Sequence, residues 1–348
     1  MRELKKPQFS MAGWGLFLAG ALTLSSCSNE DLPGGEEQGP AIEFGEVKTR
    51  AEVTESTQVR DFSVFAEQNY LDENGEDTND FISLLDNERV YRISEEESAD
   101  FTYDNKRYWV EGRTFNFFAV YPYMESGVER ASFKPGEVEY DGYTIDFTTP
   151  YTADTDLMAS HYIKPGVDAI PDYVGFSFSH LLSKICFVFK KDADKNADDK
   201  FTVTEVSISG IRYIGKYNSS RWENYADNWS LENSTRVFRN NTLSASINKT
   251  SADTEGVNAF GEGNGWLLLP QTIESGKVGL YISYQYTQAG SSETIAKQIQ
   301  TTLPSGIWET GKQYKYNITL SVDNLIYIST PTVESWGAMQ SGGTIIIK

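Results

Sequence analysis

The sequence predicts an all-β protein, and three observations support that fold class. No segment after residue 26 keeps the 3.6-residue apolar period of an amphipathic helix. Short segments alternate apolar and polar residues instead, and the clearest example runs over the nine residues from Tyr314 to Val322. Clusters of Gly, Asn, Asp and Pro separate these segments at intervals that are typical of a β-sandwich.

The candidate strands include two that are apolar on both faces, as expected inside a packed sandwich. They cover Phe115–Tyr121 and Lys184–Phe189. Cys186 lies in the second of them and is interpreted as a small buried hydrophobic residue. The remaining candidate strands cover residues 62–66, 89–93, 107–111, 144–148, 202–209, 265–269, 278–286, 297–303, 325–329 and 344–347.

The length of 348 residues suggests two or three domains. The best candidate boundary is the segment 161–173, in which two prolines and a glycine lie between strand signals. It divides the chain into an N-terminal β-sandwich over residues 51–172 and a C-terminal β-sandwich over residues 173–348. No fixed-period repeat indicates a solenoid or a propeller.

The N-terminus has the features of an export signal. Three basic residues precede an apolar run from Met11 to Leu24, which is too short for a typical membrane span. Leu24-Ser-Ser-Cys27 then has the form of a lipobox, so residues 1–26 are predicted to be a lipoprotein signal peptide and Cys27 the lipidated residue. The alternative is an ordinary secretory signal with an incidental cysteine.

Residues 27–50 are rich in Gly, Pro and Glu, which predicts a flexible spacer. The polar, acidic start of this segment, Ser28 to Asp31, resembles the surface-export signal of lipoproteins in the Bacteroides group. The expected location is therefore the cell surface, with the lipid on Cys27 held in the outer membrane. Two or three acyl chains give stable anchoring.

The charge and composition exclude several classes of function. Thirty basic residues against 50 acidic ones give a net charge of −20, which repels nucleic acid. Two histidines and two cysteines argue against zinc sites, histidine-based catalysis and a disulfide framework. No catalytic or nucleotide-binding motif occurs, so the protein is predicted to be no enzyme and to have no cofactor.

Three features that could carry chemistry have a simpler interpretation. The loops that begin at Asp192 and Asp72 start like calcium loops but lack the central glycine and the final glutamate, so solvated turns are favoured. His180 alternates with Phe176 and Phe178 and is expected to be a core or boundary residue. Tryptophans could form a sugar-stacking platform, although core positions are more common; they are Trp222, Trp229, Trp266, Trp308 and Trp336.

Several segments, taken in order, resemble the fimbrillin family, the type V pilus subunits of the Bacteroidales, in its broad Mfa-like branch. The resemblance spans nearly the whole chain. Its segments are Ile42-Glu-Phe44, Thr49-Arg50-Ala51, Phe115 to Pro122 (FNFFAVYP), Asp156-Leu-Met-Ala159, Phe178-Ser-His180-Leu-Leu-Ser-Lys184-Ile185, Leu267 to Gln271 (LLLPQ), Trp308 to Tyr316 (WETGKQYKY) and Val333-Glu-Ser-Trp336.

The resemblance implies two tandem transthyretin-like β-sandwiches and a lipoprotein precursor. It further implies that an arginine-specific protease cuts the precursor at the outer surface and that the subunits then polymerise by strand exchange. The partners would be other copies of the chain or related fimbrial subunits, and the function adhesion.

Specific residues suit the steps of that mechanism. Ile42 and Phe44 alternate on one face and would fill a groove in the precursor, which another chain's strand can occupy once they are removed. Ile345, Ile346 and Ile347 would form the C-terminal donor strand. The predicted cleavage site is the Arg50–Ala51 bond, and Lys48 and Arg60 are the alternatives.

Two other functions stay open at this stage. One is a surface lipoprotein that binds glycans through exposed Trp and Tyr side chains. The other is a glycosidase, for which fifty carboxylates permit a catalytic pair but no motif gives support. The receptor and the position in the pilus do not follow from the sequence.

Overall fold

The structure, a computed structural model, describes residues 39–49, 59–72, 74, 77–94, 101–130, 142–164, 170–219, 228–322 and 326–336. These residues lie in one compact unit and form β-strands with one short helix, α1 (Ala193–Asn196). The all-β prediction is confirmed. The predicted signal peptide, residues 1–26, lies outside the described residues.

Four of the strands that precede residue 181 overlap predicted segments, which are residues 62–66, 89–93, 115–121 and 144–148. The strands in this part of the chain are β1 (Phe44–Thr49), β2 (Asp61–Leu71), β3 (Asp77–Arg92), β4 (Phe101–Thr102), β5 (Phe115–Tyr121), β6 (Val128–Arg130), β7 (Tyr143–Thr148), β8 (Met158–Lys164) and β9 (Val174–His180).

The strands after residue 181 include the long, strictly alternating segments. They are β10 (Ser183–Lys191), β11 (Lys200–Arg212), β12 (Ile214–Asn218), β13 (Trp229–Leu231), β14 (Thr235–Asn240), β15 (Ala245–Ser246), β16 (Val257–Asn258), β17 (Trp266–Leu268), β18 (Gln271–Ile273), β19 (Gly279–Thr287), β20 (Thr294–Thr302), β21 (Gly306–Trp308), β22 (Lys312–Leu320), β23 (Ile326–Ile328) and β24 (Thr332–Ser335).

A seven-stranded sheet, in the order β1-β9-β8-β5-β2-β3-β4, organises the first half. Its pairings are antiparallel except for β1, which runs parallel to β9. One face carries a core rich in phenylalanine, which includes Phe62, Phe117 and Phe176. We call this cluster the first core. On the side away from the sheet, it is closed by residues 101–110 and by the segment that leads into β1.

The opposite face of this sheet is covered by a second, four-stranded sheet in the order β13-β12-β7-β6. The ring of Tyr143 on β7 stacks on that of Phe118 on β5, with 4.6 Å between the ring centroids. Because β12 and β13 follow β10 in the chain, this sheet joins strands from both halves of the sequence.

The last core lies between a six-stranded and a five-stranded sheet. The path of the first is β16-β10-β22-β23, with β17 paired to β10 and β24 to β22. The path of the second is β14-β11-β19-β20, with β15 paired to β11. Strands β10 and β22 run parallel at the centre of the six-stranded sheet. They contribute Phe187 and Tyr316, whose rings stack with 5.7 Å between their centroids.

Three pairings of described strands cross the predicted boundary between residues 172 and 173. Strand β9, which follows it, pairs with β1 and β8, so residues 174–180 belong with the first sheet. Strand β12 pairs with β7 over five residues. The division into two tandem sandwiches stays a prediction. Hydrogen-bonded strands connect the two predicted domains.

The sequence motifs near the C-terminus have clear structural roles. Trp308 donates its indole N–H to the hydroxyl of Tyr316 at 2.9 Å, and Tyr314 accepts the amide N–H of Glu309 at 2.7 Å. Gly311 provides the positive φ, +67°, that the intervening turn requires. The side-chain amide of Gln271 bonds both the N–H and the C=O of Arg212.

Candidate functional site: the first strand and its groove

The candidate site is the segment of residues 39–49, which fills a gap in the wall of the first core. On one side, β1 pairs in parallel with β9, and the amide of Val174 donates to the carbonyl of Glu43 at 2.8 Å. On the other side, Ile42 donates to the carbonyl of Arg107 at 2.7 Å, and Trp109 donates to that of Pro40 at 3.0 Å. The segment is thus bonded along both edges.

The predicted groove fillers are buried at this place. Ile42 is 0% exposed and Phe44 is 3% exposed, although both belong to the first described strand and its approach. The ring of Phe44 packs edge-on against Tyr103, with centroids 5.1 Å apart, and stacks on Phe176 at 5.9 Å. Ile42 and Phe44 therefore fill part of the first core, although they come from a segment that precedes the other strands of the sheet.

Tyr103 ties the segment to the opposite wall of the gap. Its hydroxyl donates to the carbonyl of Ile42 at 2.9 Å and accepts the amide N–H of Arg107 at 3.0 Å. Burial raises the pKa of Tyr103 to about 12, so the phenol stays protonated and remains a donor at neutral pH. Lys106 forms an ion pair with Glu43 at 3.1 Å, but this pair lies at the surface and contributes little.

The predicted cleavage site lies outside the described residues. Arg50 and Ala51 come directly after the end of β1, and the description resumes at Val59. Val59 is buried in the first core, whereas Arg60, one of the two alternative cleavage residues, is exposed. Lys48, the other alternative, lies within β1 and pairs with Ser177.

The remaining predicted assembly residues also lie outside the described part of the chain. These are the lipidation residue Cys27 and the donor-strand residues Ile345, Ile346 and Ile347. The described chain ends at Trp336, directly after β24, which pairs antiparallel with residues 312–315 of β22.

The other residues singled out from the sequence take structural positions. His180 is buried and bonds the carboxylate of Asp156, as expected of a boundary histidine. Cys186 is buried in the second half, and burial raises the pKa of its thiol to about 11. Trp266 and Trp308 are core residues. The Asp192 carboxylate accepts the amide N–H of Asp194 at the start of α1.

Among the described residues, no group of three or more His, Cys, Asp or Glu side chains is placed to hold a metal ion. In the same part of the chain, no helix has the length and apolar character needed to cross a membrane.

Sequence reasoning identified the buried strand but not the residues that receive it. Tyr103, Trp109 and Tyr173 all contact the segment, yet they lie in stretches without regular alternation. Only the alternation of Phe176 and Phe178 on β9 indicated a residue that receives the segment, because it marks a strand with one apolar face.

The chain is similar to known fimbrial proteins. Residues 49–336 match the model of the fimbrillin-like family. A solved fimbrial protein from Bacteroides vulgatus has 19% identity and a TM-score of 0.59, over 85% of this chain and 99% of that one. A candidate cell adhesion protein from Bacteroides ovatus has 18% identity and a TM-score of 0.50, over 86% and 99%. A search for similar curated proteins gave no match.

The two kinds of similarity carry different weight. At 19% and 18% identity, the solved structures establish a shared fold. The family match shows membership, because it covers most of the sequence, from the last residue of β1 to the tryptophan that follows β24. The chain therefore belongs to the fimbrillin-like family.

Proposed function

We propose that the protein is a structural subunit of a surface fimbria and has no catalytic activity. It would be exported as a lipoprotein precursor, cut after Arg50 and polymerised by donor-strand exchange with copies of itself or related subunits. The polymer would serve adhesion at the cell surface.

One observation carries this proposal: the segment of residues 39–49 buries Ile42 and Phe44 in the first core but is topologically separable from the rest of the chain. Residues 39–49 precede every other described strand, so a cut after residue 50 would leave the rest of the chain continuous. Their pairing with β9 is parallel, so no tight hairpin connects the two strands. A strand in this position can leave without a change in the order of the others.

Loss of this strand would leave a site suited to another strand. The backbone groups of Arg107, Trp109 and Val174 that now bond the segment would lose their partners. The aromatic wall formed by Tyr103, Phe117 and Phe176 would be opened to water. Unpaired edge groups beside exposed apolar surface are the two features that favour capture of an extended strand.

The proposed donor is the C-terminal sequence that includes Ile345, Ile346 and Ile347. Its consecutive β-branched residues have high strand propensity, and it follows Gly342-Gly343, which can act as a hinge. The test is a triple Ile→Ser variant at these positions. It should be cut normally and form no fibres, whereas fibres of normal length would rule this donor out.

The cleavage step is tested with an arginine-specific protease on unlipidated precursor. N-terminal sequencing should give Ala51 as the new first residue, and electron microscopy should then show fibres. Arg50→Ala should block both results, while Arg60→Ala and Lys48→Ala serve as matched controls and should leave them intact. Assembly of Arg50→Ala at the normal rate would contradict the proposed activation.

The lipid anchor requires a separate experiment. Cys27→Ala should abolish partition of the protein into the membrane fraction, and mass spectrometry of the native chain should find diacylglycerol on Cys27. An unmodified Cys27 would remove the anchoring step from the proposal and leave the strand-exchange steps to be judged by their own tests.

A further inference from the structure

Strand β24 is held to the sheet by contacts that are almost all polar and exposed. Its four side chains, residues 332–335, are exposed to solvent. Glu334 forms an ion pair with Lys315 at 2.7 Å, and Ser335 accepts a hydrogen bond from Lys312 at 3.2 Å. Surface pairs of this kind contribute little to stability. The backbone ladder with β22 is therefore the main attachment along the strand itself.

The residue that follows this strand makes a different kind of contact. The indole ring of Trp336 stacks on the imidazole of His180, with 3.8 Å between the centroids and 12° between the planes. Its backbone N–H donates to the carbonyl of Gly311 at 2.9 Å. The ammonium of Lys184 lies 5.3 Å from the centre of the indole, within range of a cation–π contact.

The surface on which Trp336 lies is fixed in place. His180 ends β9, its side chain is 5% exposed, and its Nδ1 donates to the Asp156 carboxylate at 2.9–3.0 Å. Asp156 precedes β8, whose first residue, Met158, pairs with His180. The imidazole plane is thus set by a buried hydrogen bond and by the strand backbone, so an incoming indole meets a pre-oriented ring.

These contacts join the last described strand to the first half of the molecule. Trp336 packs against the same buried cluster as Leu181 and Leu182, which connect β9 to β10. In chain order it stands between β24 and the twelve C-terminal residues, 337–348. It is the large apolar contact at the end of a strand that otherwise has exposed side chains.

We propose that the Trp336–His180 stack is a latch that keeps β24 on its sheet, and that this latch must open before β24 can detach from β22. Lys184 and Asp156 act as positioning residues, the first over the indole and the second through its hydrogen bond with Nδ1 of the imidazole. The latch is a property of the single subunit. Only its effect on assembly rests on the proposed strand exchange.

The first arm of the test measures the latch without any assembly. Amide hydrogen exchange is followed over residues 332–336 in the uncut, unlipidated full chain. Loss of the aromatic stack together with the partial burial of the indole is worth roughly a five- to thirty-fold shift in a local opening equilibrium, so Trp336→Ala should speed exchange by that factor. Val333→Ala, on an exposed position of the same strand, is the matched control and should leave exchange within twofold.

Two further variants separate the latch from simple damage to the fold. His180→Gln keeps a donor for Asp156 but removes the ring, and Trp336→Phe keeps a smaller ring. His180→Gln should match Trp336→Ala, the double variant should add nothing further, and Trp336→Phe should fall between wild type and Trp336→Ala. Exchange in β9 and β10, which do not pair with β24, should stay unchanged in all of them, and this would show that the subunit remains folded.

The second arm measures assembly after cleavage. With the latch open, the lag before fibre growth should shorten several-fold in Trp336→Ala and stay at the wild-type value in Val333→Ala. Unchanged exchange in Trp336→Ala and His180→Gln would overturn the latch. Faster exchange with an unchanged lag, in a wild-type protein that does form fibres, would overturn its role in assembly. A wild-type chain that never forms fibres would refute the proposed function and leave the exchange result valid.

Discussion

The ring of Tyr173 lies directly over the backbone of Gly45. A Cβ on Gly45 would lie 2.2 Å from Tyr173 Cδ2, 2.4 Å from Cγ and 2.8 Å from Cε2, so the whole ring would have to move. Glycine is therefore required at the second position of β1 by close approach, and Tyr173 acts as a cover over the strand.

Gly45→Ala should loosen the first strand. The forced contact should cost about 1–3 kcal/mol, and the free energy of unfolding from urea denaturation measures it. Tyr173→Ala removes the ring and should restore part of this loss in the double variant. Equal costs for Gly45→Ala in the presence and absence of the Tyr173 ring would contradict the assigned contact.

Phe44→Ala should destabilise the precursor by about 3 kcal/mol, because it leaves a cavity among Tyr103, Phe117 and Phe176. Glu43→Ala, on the adjacent exposed position, should cost about 1 kcal/mol or less. Urea denaturation of the uncut chain provides both values. If Phe44→Ala and Glu43→Ala prove equivalent, Phe44 is not part of the first core.

Stability should fall in acid in a way that depends on His161. Burial lowers the pKa of His161 to about 4, below its ordinary value of 6.5, and its Nε2 is hydrogen-bonded to Asn116. Between pH 4 and pH 6.5 the imidazole of His161 binds a proton in the unfolded chain but not in the folded one. The contribution of neutral His161 to the free energy of unfolding is therefore complete above pH 6.5 and is lost as the pH falls toward 4. The loss should reach about 2 kcal/mol near pH 4.5.

His161→Gln should remove this part of the pH dependence while keeping a donor toward Asn116. The measurement is the urea midpoint at pH 7 and pH 4.5 for both proteins. An equally large acid loss in His161→Gln would assign the effect to other groups.

Strand β20 should become an association site when Lys297 is replaced. Among the described residues β20 pairs only with β19, and the side chain of Lys297 points inward, where its Nζ donates to the carbonyl of Val322 at 2.7 Å. An inward-pointing charge on an edge strand discourages pairing with another chain. Lys297→Val should therefore lower the concentration at which dimers form by roughly tenfold, or about 1.4 kcal/mol.

Analytical ultracentrifugation of the uncut chain measures this association. Gln298→Val, on the opposite face of the same strand, adds a comparable apolar side chain and should change dimerisation less. Dimer formation that is equal in the two variants would show that added apolar surface, rather than loss of the inward charge, is responsible.

Local patterns in the sequence were sufficient to locate 11 of the 24 described strands. The predicted strand Phe115–Tyr121 and β5 have the same bounds, and the alternation around Tyr314–Val322 corresponds to β22, shifted by two residues. Where the pattern is weak, the prediction was incomplete. Strand β3 begins at Asp77, but only residues 89–93 were predicted, because the polar start of the strand shows no alternation.

Other features depend on contacts between distant residues. The predicted strand 107–111 is wrong: Tyr108 forms only an isolated bridge with Ala41, and Trp109 and Val110 are both buried, which breaks the alternation of a regular strand. The pairing of β12 with β7 joins segments about seventy residues apart, and no local signal specifies it. The site was predicted through Ile42 and Phe44, whereas its receiving residues were not.

The direct passage from β9 to β10 has a mechanical consequence. Two residues, Leu181 and Leu182, connect a strand that pairs in parallel with β1 to a strand that pairs in parallel with β22. Tension applied between the two ends of the uncut chain would load both pairings lengthwise, so that their hydrogen bonds share the force instead of opening one after another. Such a subunit would resist extension far better than strands peeled apart from one end.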